Sequence, residues 1–260
     1  MSEVHHILST RAGKVRHSYK DFHNNPFKEE TAHKLRVNTR KMRGILNILK
    51  KAMYKADYDR LNKGLRDIAL LIGDLRETDV LDGLCSNIAK DKPDMSGQYQ
   101  KLFFYLNEER DKEMQKTLKS VEKYNVKNKI ENIVSKINTL EFKKVYRDEE
   151  ALIQFINKRL KKKRQHMSND WKALDFDDYS EVHELRKDAK KLRFGAKYLG
   201  VLTEVDYKSI SKEAKKIQDE LGEITDRHVN MKILQEYADT VQDKELRDLF
   251  LKIRDLEKNQ

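Results

Sequence analysis

The chain contains one pattern twice: HKLRVNTRKMR at residues 33–43 and HELRKDAKKLR at residues 183–193. In each copy a histidine is followed at +3, +7 and +10 by a basic residue. An α-helix advances about 100° per residue, so these four side chains fall within an arc of about 80° on one face. Each stretch therefore predicts a helix that carries a row of cations. The first row is His33, Arg36, Arg40 and Arg43, and the second row is His183, Arg186, Lys190 and Arg193.

A separate arc of each predicted helix is apolar, which is the pattern of a helix that packs against a core. The whole chain has only 9 Gly and 2 Pro, and 38% of its residues are charged. This composition favours long helices over sheets, which need many turns. We therefore expect an all-α protein. The apolar positions are Leu35, Met42, Leu46 and Leu49 in the first copy and Leu185, Leu192, Ala196 and Leu199 in the second.

Helical periodicity extends over most of the chain, and Pro26 breaks it between the first two stretches. We expect a bend near Tyr124 and Asn125, and an N-cap at Ser180 for the second row helix. The predicted helices lie at about residues 2–20, 28–54, 57–90, 97–140, 147–169, 181–201, 204–237 and 241–258.

The repeat is longer than the two rows. Tyr58 and Tyr207 are 149 positions apart, and so are the similar segments 72–77 and 221–226. This order predicts an internal duplication that gives two pseudo-symmetric four-helix bundles. We expect one domain over residues 1–260, with halves at about 1–140 and 141–260. A pseudo-two-fold axis between the halves would allow both rows to lie on one surface or around one groove.

The net charge of +11, from 55 basic and 44 acidic residues, indicates a polyanionic partner. Nucleic acid, inorganic polyphosphate and an anionic membrane surface are the candidates. The single cysteine, Cys85, excludes an intramolecular disulfide and has the apolar neighbours of a core residue. The N-terminus lacks the apolar region of a signal peptide, and the longest apolar run, residues 68–72, is too short to span a bilayer. We expect a cytoplasmic protein without membrane insertion.

Carboxylates are concentrated on the third predicted helix of each half. They are either metal ligands or general bases of a phosphohydrolase, or they pair with the cation rows and hold them in position. Gly73 and Gly222, in the same segments, are expected to permit close helix packing. The histidines show no zinc-binding spacing, and we expect no metal site. The acidic residues are Asp74, Glu77 and Asp79 in the first half and Asp219, Glu220, Glu223 and Asp226 in the second.

Three further cations, Arg11, Arg159 and Lys163, continue apolar stripes instead of polar faces. A cation in such a register either extends its charged end to the edge of the core or lines an internal groove. The sequence is compatible with both arrangements.

At the two rows and at residues 73–80, GDLRETDV, the chain resembles the CHAD family, the conserved histidine α-helical domain. The likeness covers essentially the whole chain. It implies two pseudo-symmetric four-helix bundles with a basic surface that binds inorganic polyphosphate, without catalysis and without a cofactor. Thr225 stands where the first half has Arg76, so the second half is expected to hold ligand less well on its third helix.

We therefore expect polyphosphate to contact both rows, Lys197 and the three cations that continue apolar stripes, which we call the inward cations. The purpose of binding stays open between granule targeting, storage and regulation of a polyphosphate enzyme. One alternative is a nucleic-acid-binding helical protein, although the row helices carry few aromatic residues for base stacking. The other is a metal-dependent phosphohydrolase. The expected binding residues are His33, Arg36, Arg40, Arg43, His183, Arg186, Lys190, Arg193, Lys197, Arg11, Arg159 and Lys163.

Overall fold

The protein is described by a computed structural model that covers residues 2–91 and 96–258, and within these residues it is all-α, as predicted. Two short 3-10 segments occur at Lys144–Tyr146 and Gly200–Leu202. The α-helices of the described residues are α1 (Glu3–Asn24), α2 (Glu29–Leu49), α3 (Lys55–Leu71), α4 (Gly73–Asp91), α5 (Ser96–Lys123), α6 (Val126–Asn138), α7 (Glu149–Ala173), α8 (Tyr179–Leu199), α9 (Tyr207–Thr240) and α10 (Lys244–Lys258).

Two of the predicted helices are each divided into two in the structure. The stretch predicted at about 57–90 ends as α3 at Leu71 and resumes as α4 at Gly73, because Ile72 leaves the helical conformation at φ −108° and ψ 14°. The bend predicted near Asn125 is confirmed as a break between α5 and α6. Asn125 has φ 45°, a left-handed conformation that asparagine tolerates, and its side chain accepts a hydrogen bond from the Asn128 backbone N–H at 3.3 Å.

The N-cap predicted for the second row helix is wrong by two residues. Asp178, not Ser180, caps α8, since the Asp178 carboxylate accepts from the backbone N–H groups of Ser180 at 2.8 Å and Glu181 at 3.2 Å. A carboxylate at this position also interacts favourably with the positive end of the helix dipole.

The chain forms two compact units. The first unit consists of residues 1–72 and 121–221, and it contains both row helices, α2 and α8. Within it α1 packs on α2, α7 packs on α8, and α2 packs directly on α8. All eight apolar positions predicted on the row helices are buried here, so each row helix turns one apolar face to the core.

The second unit consists of residues 73–120 and 222–260. Its core joins α4, α5, the second part of α9, and α10, with Phe250 at 0% exposure. Cys85 lies in this core, as predicted, and burial raises the pKa of its thiol to about 12. The thiol is therefore protonated and unreactive at neutral pH.

Each unit draws on both halves of the sequence, so the contacts do not divide the chain near residue 140. Two of the boundaries, Ile72–Gly73 and Leu221–Gly222, occupy equivalent positions of the sequence repeat, 149 residues apart. The internal duplication itself stays a prediction. No helix of the described residues is long and apolar enough to cross a membrane.

Candidate polyanion-binding site

The first row follows one side of α2. His33 is exposed, whereas Arg36, Arg40 and Arg43 are partly buried along the helix. Nε of Arg43 donates a hydrogen bond to Oδ1 of Asn62 on α3 at 3.1 Å. Burial lowers the pKa of the Arg43 guanidinium, but an arginine stays charged at any physiological pH. The row therefore combines an accessible imidazole with guanidinium groups whose stems are fixed by packing.

The second row follows the equivalent side of α8. Arg193 donates from Nη1 to Oε1 of Gln218 on α9 at 3.1 Å, and its guanidinium lies 5.4 Å from the ring centroid of Phe194. Lys197 is exposed at the end of the row, with Nζ 6.0 Å from the ring centroid of Tyr198. The last arginine of each row thus bonds to a neutral amide, and that bond does not neutralise its charge.

His183 opens the second row in a different environment from His33. Its ring lies 5.7 Å from the ring of Tyr179, and its Nδ1 atom is buried without a hydrogen-bond partner among the described residues. Burial lowers the pKa of the His183 imidazole. The charges of Lys187, Lys190 and Arg186 lower it further, whereas Glu184 acts in the opposite direction. The free protein therefore favours the neutral form of His183 beside cations. An anion that binds there would instead favour the protonated imidazolium.

The row helices meet at two glycines. A Cβ atom on Gly44 of α2 would lie 2.9 Å from Cβ of Phe194 and 3.2 Å from the backbone oxygen of Lys191. A Cβ atom on Gly195 of α8 would lie 2.2 Å from Cγ1 of Ile48. Real Cβ atoms do not come this close, so only glycine allows α2 and α8 to approach as they do. This packing fixes the relative position of the two rows.

The three inward cations are all partly buried, but they do not form one group. Arg11 on α1 places Cζ 4.5 Å from the ring centroid of Tyr198, next to the end of the second row. Lys163 on α7 instead lies near Arg159 of the same helix, Lys191 of α8 and Lys50, the residue after α2. Neither Lys50 nor Lys191 was identified from the sequence, because their proximity depends on contacts between distant helices.

Three carboxylates of the acidic clusters form ion pairs with cations outside the rows. Asp79 of α4 accepts from Nε of Arg110 of α5 at 2.8 Å. Asp219 pairs with Lys215 at 2.5 Å, and Glu220 pairs with Lys216 at 3.6 Å, both within α9. Asp219 also accepts a hydrogen bond at 3.2 Å from Nε2 of Gln218, the amide that binds Arg193 of the second row. The interpretation that the acidic residues hold the rows in position stays a prediction. The side chain of Asp74 lies outside the described residues.

Two other interpretations of the acidic segments can be compared with the structure. A Cβ atom on Gly73 would meet no atom within 4 Å, so the expectation that Gly73 permits close helix packing is wrong. Over residues 2–91 and 96–258, no group of three or more His, Cys, Asp or Glu side chains is arranged to hold a metal ion.

Comparison with known proteins places this architecture among described folds. A family model described as CHAD domain matches residues 15–235. The chain is similar to the crystal structure of the CHAD domain from the plant Ricinus communis, with a TM-score of 0.77 and 16% identity over 100% of this chain and 86% of that one. It is also similar to PptA from Streptomyces chartreusis, with a TM-score of 0.74 and 10% identity over 98% of this chain and 93% of that one. No curated protein sequence matches the chain significantly.

Proposed function

The chain belongs to the CHAD domain family, and from this premise we propose that it binds inorganic polyphosphate without catalysing a reaction. The ligand lies along the two rows and Lys197, and Arg11, Arg159 and Lys163 add further contacts. Guanidinium groups bind phosphate oxygens in pairs, the imidazoles donate single hydrogen bonds, and the lysines act as point charges.

The observation that carries the proposal is the bonding of Arg43 and Arg193. Both are partly buried, and both donate to neutral amides, Asn62 and Gln218. A hydrogen bond to an amide orients a guanidinium group but leaves its full positive charge. Removing such charges from water costs free energy unless an anion compensates them, and a chain of phosphates supplies one negative charge after another.

Nucleic acid is the alternative polyanion, because its phosphates would bind the same cations. Base stacking would require accessible aromatic rings beside the rows. Tyr198, the aromatic residue at the end of the second row, already has the Arg11 guanidinium against its ring. The structure therefore offers phosphate contacts more readily than base contacts at this position.

The experiment that tests the proposal is competition at physiological salt. Labelled long-chain polyphosphate is bound to the protein, and unlabelled polyphosphate, single-stranded RNA and duplex DNA are titrated at equal phosphate concentration. Polyphosphate should displace the label at much lower concentration than either nucleic acid. Equal displacement by all three would show a general polyanion binder, and stronger displacement by RNA or DNA would favour the nucleic-acid alternative.

The non-enzymatic part of the proposal has its own measurement. The polyphosphate-bound protein is incubated with Mg²⁺ or Mn²⁺, and released orthophosphate is followed over time. We expect no release above a sample without protein. Metal-dependent release that disappears in a folded Asp219→Asn variant would instead establish the phosphohydrolase.

The proposed setting is the cytoplasm, where a protein that binds polyphosphate would meet polyphosphate granules. The buried thiol of Cys85 needs no oxidising compartment. A fluorescent fusion should co-localise with granules stained for polyphosphate, and a fusion that carries Arg36→Ala, Arg40→Ala and Arg43→Ala should not.

A further inference from the structure

Lys163, a partly buried lysine of the first unit, has three cations and one carboxylate as its charged neighbours. Arg159 and Lys163 come from α7 and Lys191 from α8, Lys50 directly follows α2, and the carboxylate belongs to Asp188 of α8. We call this group the α7 cation cluster. The packing of α7 on both α8 and α2 brings the five residues together.

The α7 cation cluster is not an extension of the second row. At about 100° per residue, Asp188 points about 160° away from Arg186 around the axis of α8. Lys191 is likewise about 100° away from Lys190. The cluster therefore occupies another side of α8 from Arg186 and Lys190.

The charges in this cluster are unbalanced. Burial lowers the pKa of the Lys163 ammonium, and Arg159, Lys191 and Lys50 lower it further, whereas Asp188 raises it. Lys163 is thus partly desolvated beside three cations, and Asp188 is the carboxylate that offsets them. Like charges repel more strongly in such a setting than in water. Glu184, one turn before Asp188 on α8, also interacts with Lys191.

Within the described part of the chain, Arg159 also lacks an acceptor for one of its donor atoms. Its Nε atom is buried and has no hydrogen-bond partner among the described residues. A buried guanidinium donor normally finds an acceptor, because its contact with water has been lost. An anion with several acceptor oxygens would satisfy this donor and balance the charge of the cluster together.

Asp188 is a counter-ion of Lys191 in the free protein, and it also acts on Lys163. Its Oδ1 atom accepts a hydrogen bond from Nζ of Lys191 at 2.6 Å. The Asp188 side chain is 54% exposed, so it can turn to solvent when another anion enters. The first half of the repeat has the neutral Asn38 at the position 150 residues earlier, so this carboxylate is particular to the second half.

We propose that the α7 cation cluster is a second phosphate subsite, separate from the rows, and that Asp188 is an internal counter-ion which an entering phosphate group displaces. The inference rests on the proposed function, since it assigns one part of the same polyanion to this subsite. On this inference, Asp188 competes with phosphate and so weakens polyphosphate binding by the second half of the repeat.

The central experiment compares Asp188→Asn with a matched control, Asp59→Asn. Asp188→Asn restores the neutral residue of the first half and keeps the size of the side chain. Asp59 also pairs with a lysine of its own helix, Lys55, in an exposed position at 2.5 Å. Both variants therefore raise the net charge by one and remove one Asp–Lys pair. Affinity is measured for long-chain polyphosphate and for inorganic pyrophosphate, and unfolding temperatures check that both variants fold.

We expect Asp188→Asn to bind both probes about five- to tenfold more tightly, the equivalent of about 1–1.4 kcal/mol. Asp59→Asn should change affinity by less than about twofold, because an exposed charge outside the site acts only through screened solvent. Lys163→Met should weaken binding, and in the double variant it should cancel the gain from Asp188→Asn, which would show that the two residues act on one phosphate group.

The outcomes separate this inference from the proposed function. If wild-type protein binds polyphosphate but the two asparagine variants bind it equally well, the inference of a second subsite is wrong and the proposal that the rows bind polyphosphate is unaffected. If polyphosphate does not bind while Asp188→Asn still strengthens pyrophosphate binding, the proposed function is wrong, but the inference that the α7 cation cluster binds phosphate is supported. If neither probe binds any variant, both are wrong.

Discussion

Gly44 and Phe194, the residues that follow the last arginine of each row, meet where α2 packs on α8. A Cβ atom on Gly44 would lie 2.9 Å from Cβ of Phe194. The two positions are equivalent in the sequence repeat, 150 residues apart. The missing side chain at one of them is therefore what lets the two cation-bearing helices pack closely.

Gly44→Ala should destabilise the protein, although alanine is the better helix former. The atoms that the new methyl group would meet are a Cβ and a backbone oxygen, so one helix must shift. Overpacking of this kind costs about 1–3 kcal/mol, which outweighs the gain of about 1 kcal/mol from helix propensity. Urea unfolding followed by circular dichroism measures the difference.

Gly13→Ala is the control for this substitution. Gly13 lies inside α1, and a Cβ atom there would meet no atom within 4 Å. This variant should be more stable by about 0.5–1 kcal/mol. Stabilisation by Gly44→Ala as well would show that α2 and α8 are less closely packed than described.

Local periodicity was enough to predict the rows and the buried faces. The spacing of Leu35, Met42 and their equivalents in α8 depends only on the helical repeat, and these positions are buried as expected. The bend at Asn125 was also predictable, because asparagine tolerates the left-handed conformation. The N-cap of α8 was not, since Asp178 and Ser180 are both good capping residues and stand two positions apart.

Contacts between helices that are distant in the sequence could not be predicted from its periodicity. Lys163 was recognised as a cation in an apolar register, but its neighbours Lys50 and Lys191 lie directly after α2 and on α8. The partner of Asp79 is Arg110, which is 31 residues away on another helix. Charge pairing in a helical protein is decided by which faces pack together, and periodicity does not specify this.

The first row should carry a large share of the binding energy. Replacing Arg36, Arg40 and Arg43 together by Ala should weaken polyphosphate binding by several kcal/mol, since a hydrogen bond to a charged group is worth about 1.5–3 kcal/mol. The dependence of log K on log salt should also become shallower, because fewer counterions are released. Isothermal titration at three salt concentrations measures both effects.

The control for the first row replaces three exposed cations of the same unit, Lys55, Arg60 and Lys127, by Ala. It removes the same net charge without touching the rows. A loss of affinity as large as in the row variant would mean that net charge, and not the row, determines binding.

The pair of Asp79 and Arg110 should be essential for stability. The Asp79 side chain is 1% exposed and that of Arg110 is 18% exposed, with Oδ1 and Nε 2.8 Å apart. Arg110→Met leaves a buried carboxylate without this partner, which costs about 3–5 kcal/mol. Arg147→Met, which removes an exposed pair with Glu141 at 3.2 Å, should cost less than about 1 kcal/mol. Chemical denaturation compares the two, and similar small losses would argue against a structural role for Asp79.

Polyphosphate length should affect affinity if the two rows act together. A chain that reaches both rows binds the second row at high effective concentration, whereas tripolyphosphate reaches only part of one row. Long chains should therefore bind much more tightly per molecule, and Ala substitution of Arg186, Lys190 and Arg193 should remove most of that advantage. Equal affinity per site for short and long chains, after correction for the number of sites, would show that the rows bind independently.

Binding should strengthen as the pH falls, through His183. In the free protein, burial and the neighbouring cations hold the pKa of His183 below its ordinary value. Phosphate oxygens beside the ring would favour the imidazolium and raise the pKa in the complex above that of the free protein. Binding then takes up protons between the two pKa values, so affinity should rise as the pH falls through that range and level off below the free pKa. A difference of one pKa unit corresponds to about tenfold in affinity.

The measurement is affinity against pH at constant salt for wild type, His183→Gln and His23→Gln. His23 is exposed near the end of α1, outside the rows and the α7 cation cluster, so its replacement is a matched chemical change and should leave the pH dependence intact. His183→Gln should flatten it. If His183→Gln follows the wild-type curve, the protons are taken up elsewhere, and the arginine and lysine side chains account for binding without the histidine.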